Sequence, residues 1–241
     1  MDWLYLRQYF TDGFYPTGVK NSADVLIPSG QLMKAMILNG SNVDAGFNYR
    51  HTGWGRPWLA NTLYFNGDSR RIKFWDVTHE NGLKTGESMT FNVDVLSGQE
   101  FRATLTWYDL AGPTGSGVTL VNDLNLTVVA PNGTYLGNVM NSGISAESQM
   151  GGSADSINTV EQVRITAPQS GTYQLTVSGG NIPGDGSFGT NRQGFALAVG
   201  GDLGSLTPQP LGNPGSLTAT DQGLSGVDLN WAAASHADYY E

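Results

Sequence analysis

The sequence predicts a mainly β protein, an antiparallel β-sandwich of the jelly-roll type preceded by two short helices. The 241 residues include 33 glycines and 10 prolines, and only 14% of them are charged, which is typical of short strands joined by tight turns. From about residue 70 onward, apolar and polar residues alternate with a period of two, as they do in strands that are buried on one face. Turn sequences such as PNG, PQSG and NIPGDGS separate the alternating stretches.

Two helices are expected before the alternation begins. The first runs from Asp2 to Phe10, where the apolar residues have helical spacing, and Asp12-Gly13 ends it. The second follows Pro28-Ser29-Gly30 in QLMKAMILNG, which has an apolar stripe and a terminal glycine. Both are predicted to pack one face against a core.

About eight strands are predicted in the following 130 residues or so. Alternation places Trp107 and Tyr173 in the core and Tyr108 on the outer face. The predicted strands are IKFWDV, SMTFNVDV, FRATLTWYD, LNLTVVAP, TYLGN, VEQVRITAP, GTYQLTVSG and GFALAVGG.

Changes of pattern divide the chain into four parts. Helical residues 1–69 precede a β-domain at 70–202, a Pro/Gly-rich linker at 203–215, and a final segment at 216–241 in which the alternation resumes. Because the first helix has no apolar partner before it and the last strand is interrupted, we expect this sequence to be part of a longer protein.

The composition limits the classes of partner and site. The formal net charge is −9 and the pI is about 4.6, which argues against nucleic acid and anionic membranes as partners, whereas divalent cations fit better. Cysteine is absent, so no disulfide or thiolate zinc site can form. The three histidines, His51, His79 and His236, are scattered along the sequence, which argues against a structural zinc site.

The order of several segments carries a resemblance to a known family. RQYF-TDGFYP, PSGQLMKAMILNG and GWGRPWL resemble the end of a subtilisin-like serine peptidase domain, after the helix that bears the nucleophile. TLTWYDLAG, LVNDLNLTVVAPNGTYLGN and the segments that follow are similar to the C-terminal β-domain of secreted bacterial subtilases and, more distantly, to the P domain of proprotein convertases. Residues 217–241 resemble the start of a fibronectin type III module.

This resemblance implies a secreted, extracellular bacterial endopeptidase that acts on proteins or peptides through an Asp/His/Ser triad. None of the three triad motifs occurs in this chain, and His51-Thr52-Gly53 is reversed relative to the HGT motif of the family. The chain alone is therefore not expected to hydrolyse peptides. Its unpartnered helices are expected either to form a dimer or to dock on the β-domain.

Acidic and amide side chains at the strand ends predict a Ca²⁺ site, because hard cations take oxygen ligands. Alternation puts Asp123 and Asn125 on one face; the resembling family usually has NDLDL here, so Asn125 removes one charge. The alternative is that Asp109 and Asp123 only anchor loops through backbone amides. The candidate ligands are Asp109, Asn122, Asp123, Asn125, Asp155 and Glu161.

Two other functions stay open. A glycosidase needs a pair of carboxylates, for which Asp109, Asp123 and Glu161 are candidates, although only their presence supports this. A non-enzymatic extracellular module that binds carbohydrate or protein is the main alternative. The segment PSGQLMKAMILNG with GWGR argues against it, since a carbohydrate-binding module has no use for these residues.

Overall fold

The two predicted helices begin and end close to where local sequence signals place them, and the structure adds two short helices that the sequence did not predict. The computed structural model describes residues 2–42, 49–141, 146–184 and 191–204, together with the backbone of 215–221 and 227–232. Helix α1 spans Asp2–Thr11 and helix α2 spans Gly30–Gly40, whose N-cap Ser29 accepts a hydrogen bond from the Leu32 amide. A 3₁₀ turn covers Ser22–Asp24, and two short helices, α3 and α4, span Tyr49–Thr52 and Leu59–Thr62.

Within the described part of residues 1–204, nine strands form two antiparallel sheets. The four-stranded sheet has the order β1-β9-β3-β7, and the five-stranded sheet has the order β2-β8-β4-β5-β6. Successive strands mostly alternate between the sheets, which is the jelly-roll arrangement and confirms the predicted fold class. The strands are β1 Arg71–Val77, β2 Ser88–Val95, β3 Phe101–Thr106, β4 Asp123–Ala130, β5 Gly133–Met140, β6 Ser148–Met150, β7 Val160–Ile165, β8 Gly171–Asn181 and β9 Phe195–Gly201.

The main core lies between the two sheets. Trp107 and Tyr173 are fully buried in it, as the alternation predicts, and Tyr108 is exposed. The indole Nε1 of Trp107 donates to the Asn122 carbonyl at 2.9 Å, so its one polar atom is satisfied. The predicted strands match the observed ones closely; β6, only three residues long, is too short to give a pattern.

Helix α2 forms a third layer on the outer face of the four-stranded sheet. Ala196 and Ala198 of β9 belong to a second apolar cluster with Leu32, Ala35 and other helical residues, whereas the alternate residues of β9 face the main core. Small side chains let a helix approach a strand closely. Strand β9 is consequently buried on both faces, which explains its nearly continuous apolar sequence.

Buried polar contacts fasten the last turn of α2 to the sheet. The amide of Asn39 donates to the backbone carbonyls of Arg102 at 3.1 Å and Ala198 at 3.0 Å, so it reaches both β3 and β9. Arg102 donates to the carbonyls of Asn39 and Ser41 and pairs with Glu100, which also binds Arg164. The guanidinium thus satisfies carbonyls at the helix C-terminus, where a cation is favoured.

The contacts between residues group the chain into two units, 1–204 and 205–241. Within the second unit, β10 Gly215–Asp221 pairs with β11 Val227–Ala232 as an antiparallel hairpin, where the sequence predicts two strands. The proposed boundary at residue 70 and the assignment of 216–241 to a fibronectin type III module stay predictions. No helix in the described ranges is long and apolar enough to cross a membrane.

Candidate metal centre

The six predicted ligands lie in two different environments. Asp109 anchors the loop between β3 and β4: its Oδ1 accepts from the amides of Leu110 and Asn122, both at 2.8 Å, and its Oδ2 accepts from Val121 at 2.6 Å. Both carboxylate oxygens are therefore engaged by the backbone. This is the loop-anchoring role that the sequence left as the alternative to metal binding.

Asn122 shares this first environment. Its side chain is fully buried, and its amide donates to the Gly184 carbonyl at 2.6 Å and to Gln193 Oε1 at 2.8 Å. The Oδ1 atom has no hydrogen-bond partner among the described residues. Asn122 Oδ1 is thus the one unpartnered oxygen that the described residues of this first environment provide, since both oxygens of Asp109 already accept from backbone amides. A cation would find too few free ligands here.

Asp123 and Asn125 begin the second environment, on the face of β4 that points away from the main core. Their side chains hydrogen-bond to each other, and burial raises the pKa of Asp123. They lie over Gly180 of β8, where a Cβ would stand 2.7 Å from Asp123 Oδ2 and 2.6 Å from Asn125 Nδ2. A glycine at this position leaves room for the two polar side chains.

Glu161 of β7 reaches the same region from the other sheet. Only 1% of its surface is exposed, and its Oε2 accepts from the Leu126 amide of β4 at 2.6 Å. Its carboxylate lies over Gly137 of β5, where any side chain would collide with it. Burial, with the charges of Asp155 and Asp123 adding to it, raises the pKa of Glu161 to about 8.

Asp155 holds a loop beside this site. Its oxygens accept from the amides of Ile157 at 2.8 Å and Asn158 at 3.2 Å and from the side chains of Asn138 and Asn158, both at 2.6 Å. Although burial alone would raise its pKa, these hydrogen bonds together lower it. Asp155 therefore contributes negative charge to the site while its oxygens serve the loop.

Asn138 was not predicted from the sequence. It adopts a left-handed conformation with φ of 61°, which asparagine tolerates better than most residues. Its Nδ2 also donates to the Val160 carbonyl at 2.7 Å, and its Oδ1 accepts from the Gln162 amide at 3.0 Å. It thereby joins β5 to β7. No pattern of alternation signals such a role.

Three oxygens in the second environment are buried without a hydrogen-bond partner: Asp123 Oδ1, Asn125 Oδ1 and Glu161 Oε1. None of the ion pairs found among the described residues involves Asp123, Asp155 or Glu161. Such orphaned oxygens fit a hard cation, for which two carboxylates and one amide would supply part of the shell. No group of three or more acidic or histidine side chains in the described ranges could hold a metal, so such an ion would need further oxygens from backbone or water.

A cleft of about 570 Å³ lies between the start of α2 and the sandwich, away from the predicted ligands of the second environment. Its lining includes His79, Glu80 and Tyr108, which is 54% exposed. The ring Nδ1 of His79 lies 3.2 Å from the Arg192 carbonyl and accepts from the Gly194 amide at 3.3 Å, so this histidine is held by the backbone. The lining also includes Ser29, whose hydroxyl donates to Asp76 Oδ1 at 2.6 Å and accepts from the Leu32 amide at 3.0 Å, so it serves as the N-cap of α2.

Comparisons with known proteins relate the chain to a peptidase-named group. It is 30% identical over 186 residues to the serine protease/ABC transporter B family protein tagA of Dictyostelium discoideum, covering 73% of this chain and 10% of that protein. It is 26% identical over 255 residues to tagD of the same organism and family name, covering 83% of this chain and 13% of that protein. The chain thus spans about a tenth of the length of these relatives.

Other comparisons add little. No protein-family model matches the chain. A crystal structure of GEBA250068378 from Sulfurospirillum deleyianum aligns with 54% of this chain and 96% of its own, at 8% identity and a TM-score of 0.29, which is too low to indicate a shared fold. Its similarity to tagA and tagD makes the chain a distant relative of part of proteins that are named serine protease/ABC transporter B family proteins.

Proposed function

We propose that this chain is the C-terminal portion of a secreted subtilisin-like serine endopeptidase, in which the β-domain stabilises the end of the peptidase domain. The single observation that carries this proposal is the fastening of helix α2 to the sandwich by Asn39 and Arg102. The similarity to serine-protease-named relatives over about three quarters of the chain supports it. The main alternative, a carbohydrate- or protein-binding module, is less well supported, because α2 is an integral layer of the fold.

The first turn of helix α1 exposes apolar side chains that support the same proposal. Leu6, Phe10 and Tyr9 are buried against α2 and its surroundings, whereas Trp3, Leu4 and Tyr5 are about half exposed. In a peptidase, the rest of the catalytic domain, with its Asp, His and Ser, would cover these exposed side chains. Catalysis and contact with protein substrates would then belong to that part, and the proposed location is outside the cell.

Calcium is the cofactor that we assign to the β-domain. Asp123, Asn125 and Glu161 would hold it, while Asp109 and Asp155 keep their places in loop anchoring. An ion that binds only the folded state stabilises that state by mass action. This sequence has no cysteine, so in an extracellular protein the bound ion would supply the stabilisation that disulfides often supply.

The gene upstream of the Met1 codon tests the peptidase proposal. We expect an open reading frame that continues upstream and encodes, in order, the Asp, His-Gly-Thr and Gly-Thr-Ser-Met-Ala motifs of the family. A start codon and a secretion signal directly before Met1 would contradict it. This test does not depend on calcium.

Thermal melting tests the calcium proposal. Calcium is expected to raise the melting temperature of the chain relative to EGTA, because the ion compensates buried negative charge. Asp123→Ala should abolish the increase, and Asp94→Ala, at an exposed carboxylate on β2, should leave it intact. A melting temperature that is the same in calcium and EGTA would refute the site.

A further inference from the structure

The two sheets meet at a seam where β4 and β5 separate and β7 of the other sheet approaches them. Side-chain hydrogen bonds connect the sheets there. Strands β4 and β5 pair from Ala130↔Gly133 to Thr127↔Leu136, and the described residues of these two strands form no further pairs beyond Leu136. From there β5 runs beside β7, through the contacts of Asn138 with Val160 and Gln162. The Leu126 amide of β4, which would otherwise face β5, donates instead to Glu161. The Glu161 carboxylate and the Asn138 amide thus both span the gap between the sheets.

This seam gathers buried polar oxygens that the described residues leave without a hydrogen-bond partner. Glu161 comes from the four-stranded sheet, and Asp123 and Asn125 come from the five-stranded sheet. Each of the three has an unpartnered buried oxygen, and Glu161 is almost fully buried. A buried carboxylate without a compensating partner is costly, so the seam is weak as long as nothing joins these oxygens.

A chain of hydrogen bonds leads from the seam to a loop. Asn138, at the point where β5 meets β7, donates to Asp155, and Asp155 in turn receives the amides of Ile157 and Asn158. A cavity of about 360 Å³ lies beside this loop; its lining includes Asn138, Asp155 and Asn158 on one side and Gly53 and Trp54 of the GWGR turn on the other. A movement of β7 relative to β5 would therefore displace both the loop that Asp155 holds and the lining of this cavity.

We infer that a cation bound by Asp123, Asn125 and Glu161 is an inter-sheet staple that closes this seam and thereby orders the loop at 151–159. This inference rests on the calcium part of the proposed function and assigns what the ion does there. Ligands from both sheets make the ion a cross-link, whereas a site within one loop would stabilise only that loop. Ca²⁺ suits the mixture of carboxylate and amide oxygens better than Mg²⁺, which demands a near-ideal octahedral shell.

Hydrogen exchange measured by mass spectrometry on the full chain tests the staple. Calcium is expected to slow exchange at the amides of Ile157, Asn158 and Gln162 by at least about tenfold relative to EGTA, because these amides donate to Asp155 and Asn138. Magnesium at the same concentration should slow it less. Exchange in β2, which is remote from the seam along its sheet, should change little.

Two variants complete the test. Glu161→Gln and the milder Asp123→Asn should each remove the calcium-dependent slowing, while Asp94→Asn, at an exposed carboxylate that binds Thr172, should keep it. Calcium uptake is measured calorimetrically on the same samples. Uptake without slowing at the loop overturns the staple and leaves the calcium site standing. Absence of uptake overturns both, and leaves the peptidase proposal to the upstream gene.

Discussion

Replacing Arg102 by methionine is expected to lower the free energy of unfolding of the 1–204 unit by about 3–5 kcal/mol. Arg102 is only 3% exposed, and its guanidinium serves two carbonyls at the end of α2 and the Glu100 carboxylate. Methionine fills much of the volume but leaves these buried acceptors without a donor. Urea unfolding followed by tryptophan fluorescence and circular dichroism measures the loss.

Lys20→Met is the matched control. Lys20 also pairs with a carboxylate, Asp12 at 3.2 Å, but its side chain is 62% exposed, so the expected loss is about 0–1 kcal/mol. Equal effects of the two substitutions would mean that the Arg102 contacts do not hold the helical layer on the sheet.

The second large effect concerns pH. Without calcium, the free energy of unfolding should fall by on the order of 3–5 kcal/mol between about pH 4.5 and about pH 8 through Glu161 alone. Its pKa is about 8 in the folded protein against a usual value of 4.5, so the folded state holds a proton that the unfolded chain releases. As the pH rises through this window, the unfolded chain loses the Glu161 proton freely. The folded protein must either take up a proton at Glu161 or hold its buried carboxylate ionised near Asp123 and Asp155, and both cost free energy. The stability present below the window is therefore lost across it.

Melting curves in EGTA across this pH range measure the effect. Glu161→Gln, which cannot ionise, should flatten the dependence, and the difference between the two proteins isolates Glu161 from carboxylates with lowered pKa, such as Glu100. Stability that rises with pH equally in both proteins would show that the carboxylate is ionised in the folded state at low pH.

Much of the sandwich could be predicted because its strands are buried on one face. β2, β4 and β8 alternate cleanly, so period-two reading finds them and assigns Tyr173 to the core. The docking of α2 was expected only as one of two alternatives. The contact depends on Asn39 reaching carbonyls more than sixty residues away in sequence, and no local pattern encodes that pairing.

The sequence indicated which acidic and amide residues are candidate ligands, but it did not indicate which of their oxygens are left without a hydrogen-bond partner. Alternation correctly brings Asp123 and Asn125 together, because both lie on one strand. The sequence could not separate Asp109, which is saturated by backbone amides, from Glu161, which is not, since that difference depends on loop geometry and on the gap between β4 and β5. Gly137 and Asn138 shape that gap and carry no acidic signature.

Hydrogen exchange of α2 against β9 in rising denaturant tests most directly whether the helical layer and the sandwich are one folded unit. We expect the slowest amides of α2 and β9 to exchange with the same free energy of opening, and Arg102→Met to lower both free energies by the same amount. If α2 instead opens at a clearly lower free energy while β9 stays protected, the helices are a separable attachment and the central claim is wrong.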